Sequence, residues 1–387
     1  MSKFTIKTLN GISDNGLKKF GDNYNIDNQS ETPDAIVVRS ASLHDMSFPD
    51  TLHSIARAGA GVNNIPIDRC TEDGIVVFNT PGANANAVKE LAVAALLLSS
   101  RKIVDGVNWV RSLEGDDISK DIEKGKSQFV GPEIRNKRLG IIGLGAIGVM
   151  VANAAVNMDM KVYGYDPYIS VEHAWGLSRS VKKADDLNKL FSKCDYITLH
   201  IPLTDQTKGM LNSEVFEKMK PGMRILNLSR GGLVNDDDLI DALNKGWVST
   251  YITDFPDAKI INVPGVIPIP HLGASTPESE DNCAIMAVMQ TSDFLENGNI
   301  KNSVNFPSCD LGIRMAKHRL TIAHRNIPKM LGQISAVLSE QGVNIVNMIN
   351  RSRGNYAYTM VDLESEIADE NVKRINDIDG VIRVRVL

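Results

Sequence analysis

The chain has 387 residues, of which 43% are hydrophobic, 23% charged and 5% aromatic, and its formal net charge is −5. That length is more than one hydrophobic core serves, so two or three domains are expected, and the composition excludes a disordered chain. The acidic balance excludes a nucleic-acid or anionic-membrane surface as a partner, while leaving room for a local basic pocket that takes a small anion.

In chain order, the first predicted strands are KFTIKTL (3–9), AIVVRS (35–40), SIARAGAG (54–61) and GIVVFNTPG (74–82), apolar runs that end in small or polar residues. They read as a small α/β unit. The stretch 88–103, rich in Ala and Leu and free of Gly and Pro, predicts a long helix leaving it. From Arg138 the alternation resumes with RLGIIG (138–143), KVYGYD (161–166), DYITLHIP (195–202), RILNLSR (224–230), STYITDF (249–255) and GVIPIPH (265–271). Between the first two of these, Ile147, Val151, Ala154 and Met158 stand at helical spacing and predict one buried stripe. Short β-branched runs alternating with helices describe a doubly wound parallel sheet. A second long helix is expected over 277–298. The two long helices are expected to act as a pair, by which the chain leaves its first domain, builds the second and returns. Residues 317–387 read as strand, helix, strand, strand, helix, strand, with Ile327, Leu331, Ile334 and Leu338 on one helix face, a ferredoxin-like order.

The chemistry concentrates at a few strand ends. Gly143, Gly145 and Gly148, with Ala146 and Ile147 between them, follow an apolar strand and open a helix. Such glycines allow a tight turn and a close approach of backbone to a pyrophosphate, which the helix N-terminus favours. Asp166 ends the next strand about 20 residues on, where a carboxylate binds ribose hydroxyls and repels a 2′-phosphate. The residues after it are Pro167 and Tyr168, with no arginine, so NAD is expected rather than NADP. His200, Ser229 with Arg230, Asp254 and His271 stand at the carboxyl ends of later strands, the edge where open parallel sheets bind ligands.

Four cysteines, Cys70, Cys194, Cys283 and Cys309, lie far apart without CxxC spacing, which fits reduced thiols, and no metal site is expected. MSKFTIKTLN has no apolar signal core and no run reaches the roughly 18 apolar residues of a membrane span, so a cytoplasmic location without membrane contact is expected.

GIIGLGAIG, NLSRGGLV (227–234) and IPHLGAST (269–276) resemble the motifs of the D-isomer-specific 2-hydroxyacid dehydrogenases. VVRSAS (37–42) and RAGAGVNNI (57–65) narrow the resemblance to the branch that acts on 3-phospho-D-glycerate, and HRNIPKMLGQISAVLSEQGVNI (324–345) resembles an ACT domain. The resemblance implies a Rossmann-like NAD domain over 91–285, inserted in a flavodoxin-like substrate domain built from 1–90 and 286–308, with an ACT regulatory domain over 317–387. It implies a site in the cleft between the first two, with His271 as acid/base and Arg230 holding the substrate carboxylate. Leu228, Ser229, Arg230, Asp254, His271, Leu272, Gly273 and Ala274 would join Ala146, Ile147, Asp166 and His200 around NAD. Arg39 and Ser40, with the Ala60 and Gly61 backbone, would face the substrate phosphate and carboxylate. His324, Asn326 and Asn344 would bind an L-serine effector across a homo-oligomer, a dimer or tetramer.

The activity so implied is NAD-dependent oxidation of 3-phospho-D-glycerate at the start of L-serine synthesis. A reductase of glyoxylate, hydroxypyruvate or another 2-oxo acid is the alternative, as is a weakly catalytic sensor of NAD or amino acids. One departure separates the chain from the family pattern. The glutamate that orients the histidine is expected five residues beyond Asp254, and that position is Lys259. Either Asp257 substitutes or His271 lacks the partner, and the acid/base limb of the rate profile is then expected at lower pH than in a glutamate-bearing relative.

Overall fold

The computed structural model describes residues 4–387, which divide into two units: the chain up to Asn84 together with Pro277–Leu387, and Ala85–Thr276. The first unit opens with strands β1 (Phe4–Leu9), β2 (Tyr24–Ile26), β3 (Ala35–Val38), β4 (Ser54–Arg57) and β5 (Val76–Phe78), with short helices α1 (Asp14–Leu17) and α2 (Ile67–Glu72) among them. The strands are parallel in the order β2-β1-β3-β4-β5, a flavodoxin-like arrangement. All four β3 residues are buried, as a strand covered on both faces requires, and its AIVV run is unbroken accordingly. The sequence reading misses β2, whose three residues YNI include two exposed ones and carry no apolar run.

The second unit starts with helices α3 (Ala85–Ser100), α4 (Ile103–Arg111) and α5 (Ile118–Gly125). Then follow β6 (Arg138–Ile142), α6 (Ala146–Asn157), β7 (Lys161–Tyr165), α7 (Val171–Trp175), β8 (Lys182–Lys183), α8 (Leu187–Lys193) and β9 (Tyr196–Leu199). Helix α9 (Ser213–Lys218), β10 (Met223–Asn227), α10 (Asp236–Asn244), β11 (Val248–Thr253) and β12 (Val266–Pro268) complete it. Its parallel sheet has the order β12-β11-β10-β9-β6-β7-β8, so the direction of winding reverses between β6 and β9. This is the doubly wound Rossmann order, with the ligand crevice expected at that reversal. The buried face of α6 is Gly148, Val149, Val151, Ala152 and Ala155 rather than the predicted stripe of Ile147, Val151, Ala154 and Met158. Close packing against Ala92, Ala95 and Leu96 of α3 selects the small side chains, whereas the periodicity followed the large ones.

The chain then returns to the first unit through α11 (Pro277–Asn297), whose Ala284, Ala287 and Phe294 pack with Ile6, Val37 and Phe78. The remainder is β13 (His318–Arg325), α12 (Met330–Glu340), β14 (Ile345–Arg353), β15 (Tyr356–Leu363), α13 (Asp369–Asn376) and β16 (Val381–Val386), an antiparallel sheet in the order β14-β15-β13-β16. The predicted stripe on α12 also shifts: Ile334 and Leu338 are buried with Met330 and Val337, while Leu331 is exposed and Ile327 precedes the helix.

This sheet is tied to α11 by polar contacts. Arg319 forms a buried ion pair with Asp362 (Nε to Oδ1, 2.6 Å) and donates through Nη1 to the carbonyls of Asn297 and Gly312. From β16, Arg383 donates to Leu52 O and Arg385 to Phe294 O and Leu295 O at the end of α11. Among the described residues, no helix is long and apolar enough to cross a membrane.

Candidate active site

The glycine turn lies at the reversal between β6 and β9. Gly143 has φ +93°, and a Cβ placed there would stand 2.4 Å from the carbonyl oxygen of His200 at the end of β9. A Cβ on Gly148 would stand 2.0 Å from Gly143 O, so the first turn of α6 folds directly onto the loop. Gly145 is different: nothing lies within 4 Å of its added Cβ, which leaves the mouth of the turn open. The α6 amide groups begin at Ala146 beside that opening, with Gly145 as the capping residue and no side chain on the end. A pyrophosphate needs this combination of open backbone and undischarged amide donors, so the residues fit a dinucleotide.

Asp166, at the end of β7, accepts the Leu144 amide at 2.8 Å through Oδ2 and the Tyr168 amide at 2.8 Å through Oδ1. It therefore fixes the glycine turn as well as standing where a ribose is expected. Burial pushes the His200 imidazole down to about 4, so the ring is neutral at pH 7, and its Nε2 lies 3.0 Å from Thr198 Oγ1.

The next two strands contribute the polar cluster. After β10, Leu228 is buried, Ser229 donates to Ile201 O at 2.5 Å, and Arg230 is exposed with Nη1 on Ser229 O. Buried Asn227, which the sequence reading did not single out, holds this loop by donating to Arg230 O at 2.9 Å and to the Tyr251 hydroxyl at 3.1 Å. Its signal was the polar residue closing an apolar strand.

Asp254 follows β11 and is 2% exposed. Burial raises its pKa, opposed by the charge of His271, by the backbone N–H groups of Asp254 and Gly273, and by Arg230. Its Oδ1 is buried without a hydrogen-bond partner. Asp254, His271 and Arg230 thus share one electrostatic neighbourhood, next to Gly273 and within the segment that continues through exposed Leu272 and half-buried Ala274. The imidazole of His271 packs against Phe255, with ring centroids 4.4 Å apart and planes inclined by 56°.

Asp257 does not turn toward that ring. Its Oδ1 accepts the amides of Lys259 and Ile260, and its carboxyl meets Asp236, which together with burial raises the pKa of Asp236. Lys259 binds Asp237, with Nζ 2.9 Å from Oδ2.

In the first unit, Arg39 follows β3 and pairs with Glu280 of α11 at 2.7 Å, both side chains being partly exposed. The Ser40 and Ala41 amides both go to Asn10 Oδ1, so the Ser40 amide is not available to an anion. Asn10 stands at φ +70° after β1, and the Asn-Gly pair was its sequence signal. Ala60 O accepts from Asn79, and half-buried Gly61 follows in the same loop. Arg57, which ends β4, donates through Nε to Arg39 O at 3.1 Å, placing a second guanidinium on the same sheet edge.

His324 is 2% exposed, with its ring nitrogens 2.8 Å from Arg325 O and from Thr359 Oγ1. Asn326 donates to Gly354 O and Asn344 to Glu364 Oε2, both at the surface. Register places His318 against Leu363 and Arg325 against Tyr356, so Asn344 and Asn326 lie at opposite ends of the sheet within one copy.

A family profile described as D-isomer specific 2-hydroxyacid dehydrogenase, NAD binding domain, matches residues 93–273. The D-3-phosphoglycerate dehydrogenase of Haemophilus influenzae is 30% identical over 341 residues, which cover 84% of this chain and 79% of that protein. The chain belongs to the D-isomer-specific 2-hydroxyacid dehydrogenase family.

Another relative, the D-3-phosphoglycerate dehydrogenase of Synechocystis, is 37% identical over 283 residues, 71% of this chain and 49% of that one. The chain spans about half the length of several of the curated dehydrogenases it matches. Among solved structures, NAD+-bound 3-phosphoglycerate dehydrogenase of Entamoeba histolytica has 28% identity and a TM-score of 0.59, covering 79% of this chain and 99% of that one. A glyoxylate reductase from Paecilomyes thermophila, at 22% identity with a TM-score of 0.65, covers 79% of this chain and 99% of its own, and shares the dehydrogenase fold.

Proposed function

We propose that the chain is an NAD-dependent dehydrogenase that oxidises 3-phospho-D-glycerate to 3-phosphohydroxypyruvate, the entry to L-serine synthesis. The observation that carries this reading is the grouping of Arg230, Asp254 and His271 on the sheet edge that also holds the open glycine turn. NAD, when bound, supplies the acceptor for the hydride that leaves C2. His271 takes the hydroxyl proton and returns it in the reverse direction, the task an imidazole performs near neutral pH. Arg230 binds the substrate carboxylate and draws charge toward the C2 oxygen. Asp254 balances the charge of Arg230 and the charge that His271 gains.

Arg39 and Arg57 supply the phosphate contacts, since planar guanidinium groups bind oxyanions bidentately. The Arg39–Glu280 pair must then open or share its guanidinium as the dianion enters. Asp166 favours a free 2′-hydroxyl on the adenosine ribose and hence NAD.

Two surfaces of the chain support a homo-oligomer. Helices α4 and α5 bury none of their residues, expose Ile103, Val107, Val110 and Ile118, and line an apolar groove of about 480 Å³ with Trp109 and Phe129, a face suited to a second copy. In the terminal sheet, Asn326 and Asn344 can meet one serine molecule only when contributed by two copies, because a single copy keeps them at opposite ends.

The test is NADH consumption with 3-phosphohydroxypyruvate against glyoxylate and hydroxypyruvate, each with and without L-serine. Turnover selective for the phosphorylated acid supports the proposal, and inhibition by serine assigns the terminal sheet. Turnover of only the unphosphorylated acids makes the chain a 2-oxo acid reductase instead, and NADH binding without turnover makes it a sensor.

A further inference from the structure

An acid/base imidazole works only if it is held facing the reacting oxygen, and the groups around His271 do this unusually. The carboxylate that the sequence offered to it and the groups around that carboxylate have other duties: Asp257 closes its own turn and meets Asp236, while Asp237 holds Lys259. Asp254, buried, is coupled to His271 and Arg230 and accepts from the Gly273 backbone. What the ring touches is Phe255, 4.4 Å away between centroids.

Phe255 is itself firmly placed. Its amide donates to Thr253 Oγ1 at 3.1 Å, Pro256 follows it, and its side chain stands beside Gly231, where an added Cβ would come within 3.5 Å of the Phe255 Cβ. Its side chain therefore lies between the neighbourhood of the loop bearing Arg230 and the imidazole of His271, against which its ring packs.

We propose that Phe255 is the positioning residue for His271: its ring fixes the imidazole orientation by packing, in place of a carboxylate hydrogen bond. The proposal rests on the dehydrogenase reading of the same cluster. A flat hydrophobic flank limits rotation of the imidazole about its side-chain bonds, and a tilted aromatic pair is a favoured geometry for such contact. It fixes orientation without adding charge, and the charged group coupled to the ring remains Asp254, just after β11.

The experiment compares the full-length protein with Phe255→Val, Phe255→Leu and Phe255→Tyr. Loss of the ring in Phe255→Val is expected to lower kcat about ten- to a hundredfold, the scale of a small misplacement of a reacting group. KM and NADH binding should stay within about twofold, because neither depends on imidazole orientation. Phe255→Tyr should keep kcat within about threefold, and Phe255→Leu, which keeps bulk without the flat ring, should fall between and stands in if the valine variant does not fold.

A second readout needs no turnover. Carbethoxylation of the apo protein, followed at His271 with His271→Asn as the control, should quicken several-fold in Phe255→Val and hardly at all in Phe255→Tyr. Wild-type kcat and an unchanged modification rate in Phe255→Val overturn the proposal while leaving the dehydrogenase reading intact. A wild-type protein that turns over no 2-oxo acid defeats that reading, and the modification rates then still decide whether Phe255 holds the ring.

Discussion

The five-stranded and seven-stranded sheets are both parallel and both place their candidate functional groups at the carboxyl edge, but they hold those groups by different means. In the seven-stranded sheet, the glycine turn is set mainly by backbone proximity, with Asp166 as a side-chain tie: glycines at 143 and 148 let the loop after β6, the end of β9 and the start of α6 meet within contact distance. In the five-stranded sheet, side chains do it: Asn10 takes two amides, Asn79 takes Ala60 O, and Glu280 holds Arg39. A loop secured by side chains can exchange partners when a ligand arrives, whereas one secured by close backbone packing cannot move without breaking. The first arrangement suits an anion that must displace an ion pair, the second a cofactor that needs a ready-made cradle.

The largest effect should come from the chemistry on the second sheet. His271→Asn is expected to lower kcat by about 10²–10⁴ with NADH affinity kept, measured by steady-state turnover and NADH fluorescence titration. Comparable loss of NADH affinity would instead make the residue part of the cradle.

The two glycines then separate packing from access. Gly143→Ala should cost about 1–3 kcal/mol in chemical denaturation, from the positive φ and the clash with His200 O. Gly145→Ala should keep stability within about 0.5 kcal/mol while weakening NADH, since its added Cβ meets only open space. Equal stability losses would mean that the open mouth is not where the cofactor enters.

On the first sheet, Arg39→Gln should raise KM for 3-phosphohydroxypyruvate about tenfold or more and leave glyoxylate turnover unchanged, the signature of a lost charge-assisted contact to phosphate.

A pH measurement extends the comparison. Burial and the charges of Arg385 and Arg383 push His53, just before β4, down to about 3, and its Nδ1 is buried without a partner. The unfolded chain binds that proton near the ordinary value of 6.5, so the folded state is favoured fully above that pH and loses stability as the pH falls from there toward 3. His53→Gln should therefore flatten the decline between pH 6 and about 4 in a denaturation series and change little at pH 8. An unaltered slope would show that the acid response of the first unit has another source.

The smallest effect is expected from Lys259→Glu. Because the side chain at that position turns to Asp237, losing the exposed pair and adding a charge beside Asp236 should change stability little and leave the acid/base limb in place. A limb that moves to higher pH would show that position 259 still communicates with His271.

Much of this was legible in the chain because the relevant rules are local. The glycine spacing, the acid 20 residues on and the polar residues closing apolar strands each follow from what a strand end needs. Strands β2 and β8, three and two residues long, carry no periodicity to read. The buried stripes of α6 and α12 were displaced because tertiary packing chose small or differently placed side chains over the largest ones. Asn10 and Asn227 carried local signals, an Asn-Gly pair and a polar strand end, that the reading passed over, whereas the role of Phe255 arises from its contact with His271, sixteen positions on, which no spacing rule spans. Asp257 looked available for the histidine in one dimension and is committed to its own turn in three.

The guanidinium groups of Arg383 and Arg385 bear on the order in which the protein is made. They hold the carbonyls of Leu52, Phe294 and Leu295, so the unit that begins with β1 depends on residues that the ribosome adds more than three hundred positions later. Ala85–Thr276 has all its strands and helices as soon as it clears the exit tunnel. Domains generally fold as they emerge, the earlier part first. The order expected here is the reverse: β1 to β5, synthesised first, are completed only when α11 and then β16 arrive.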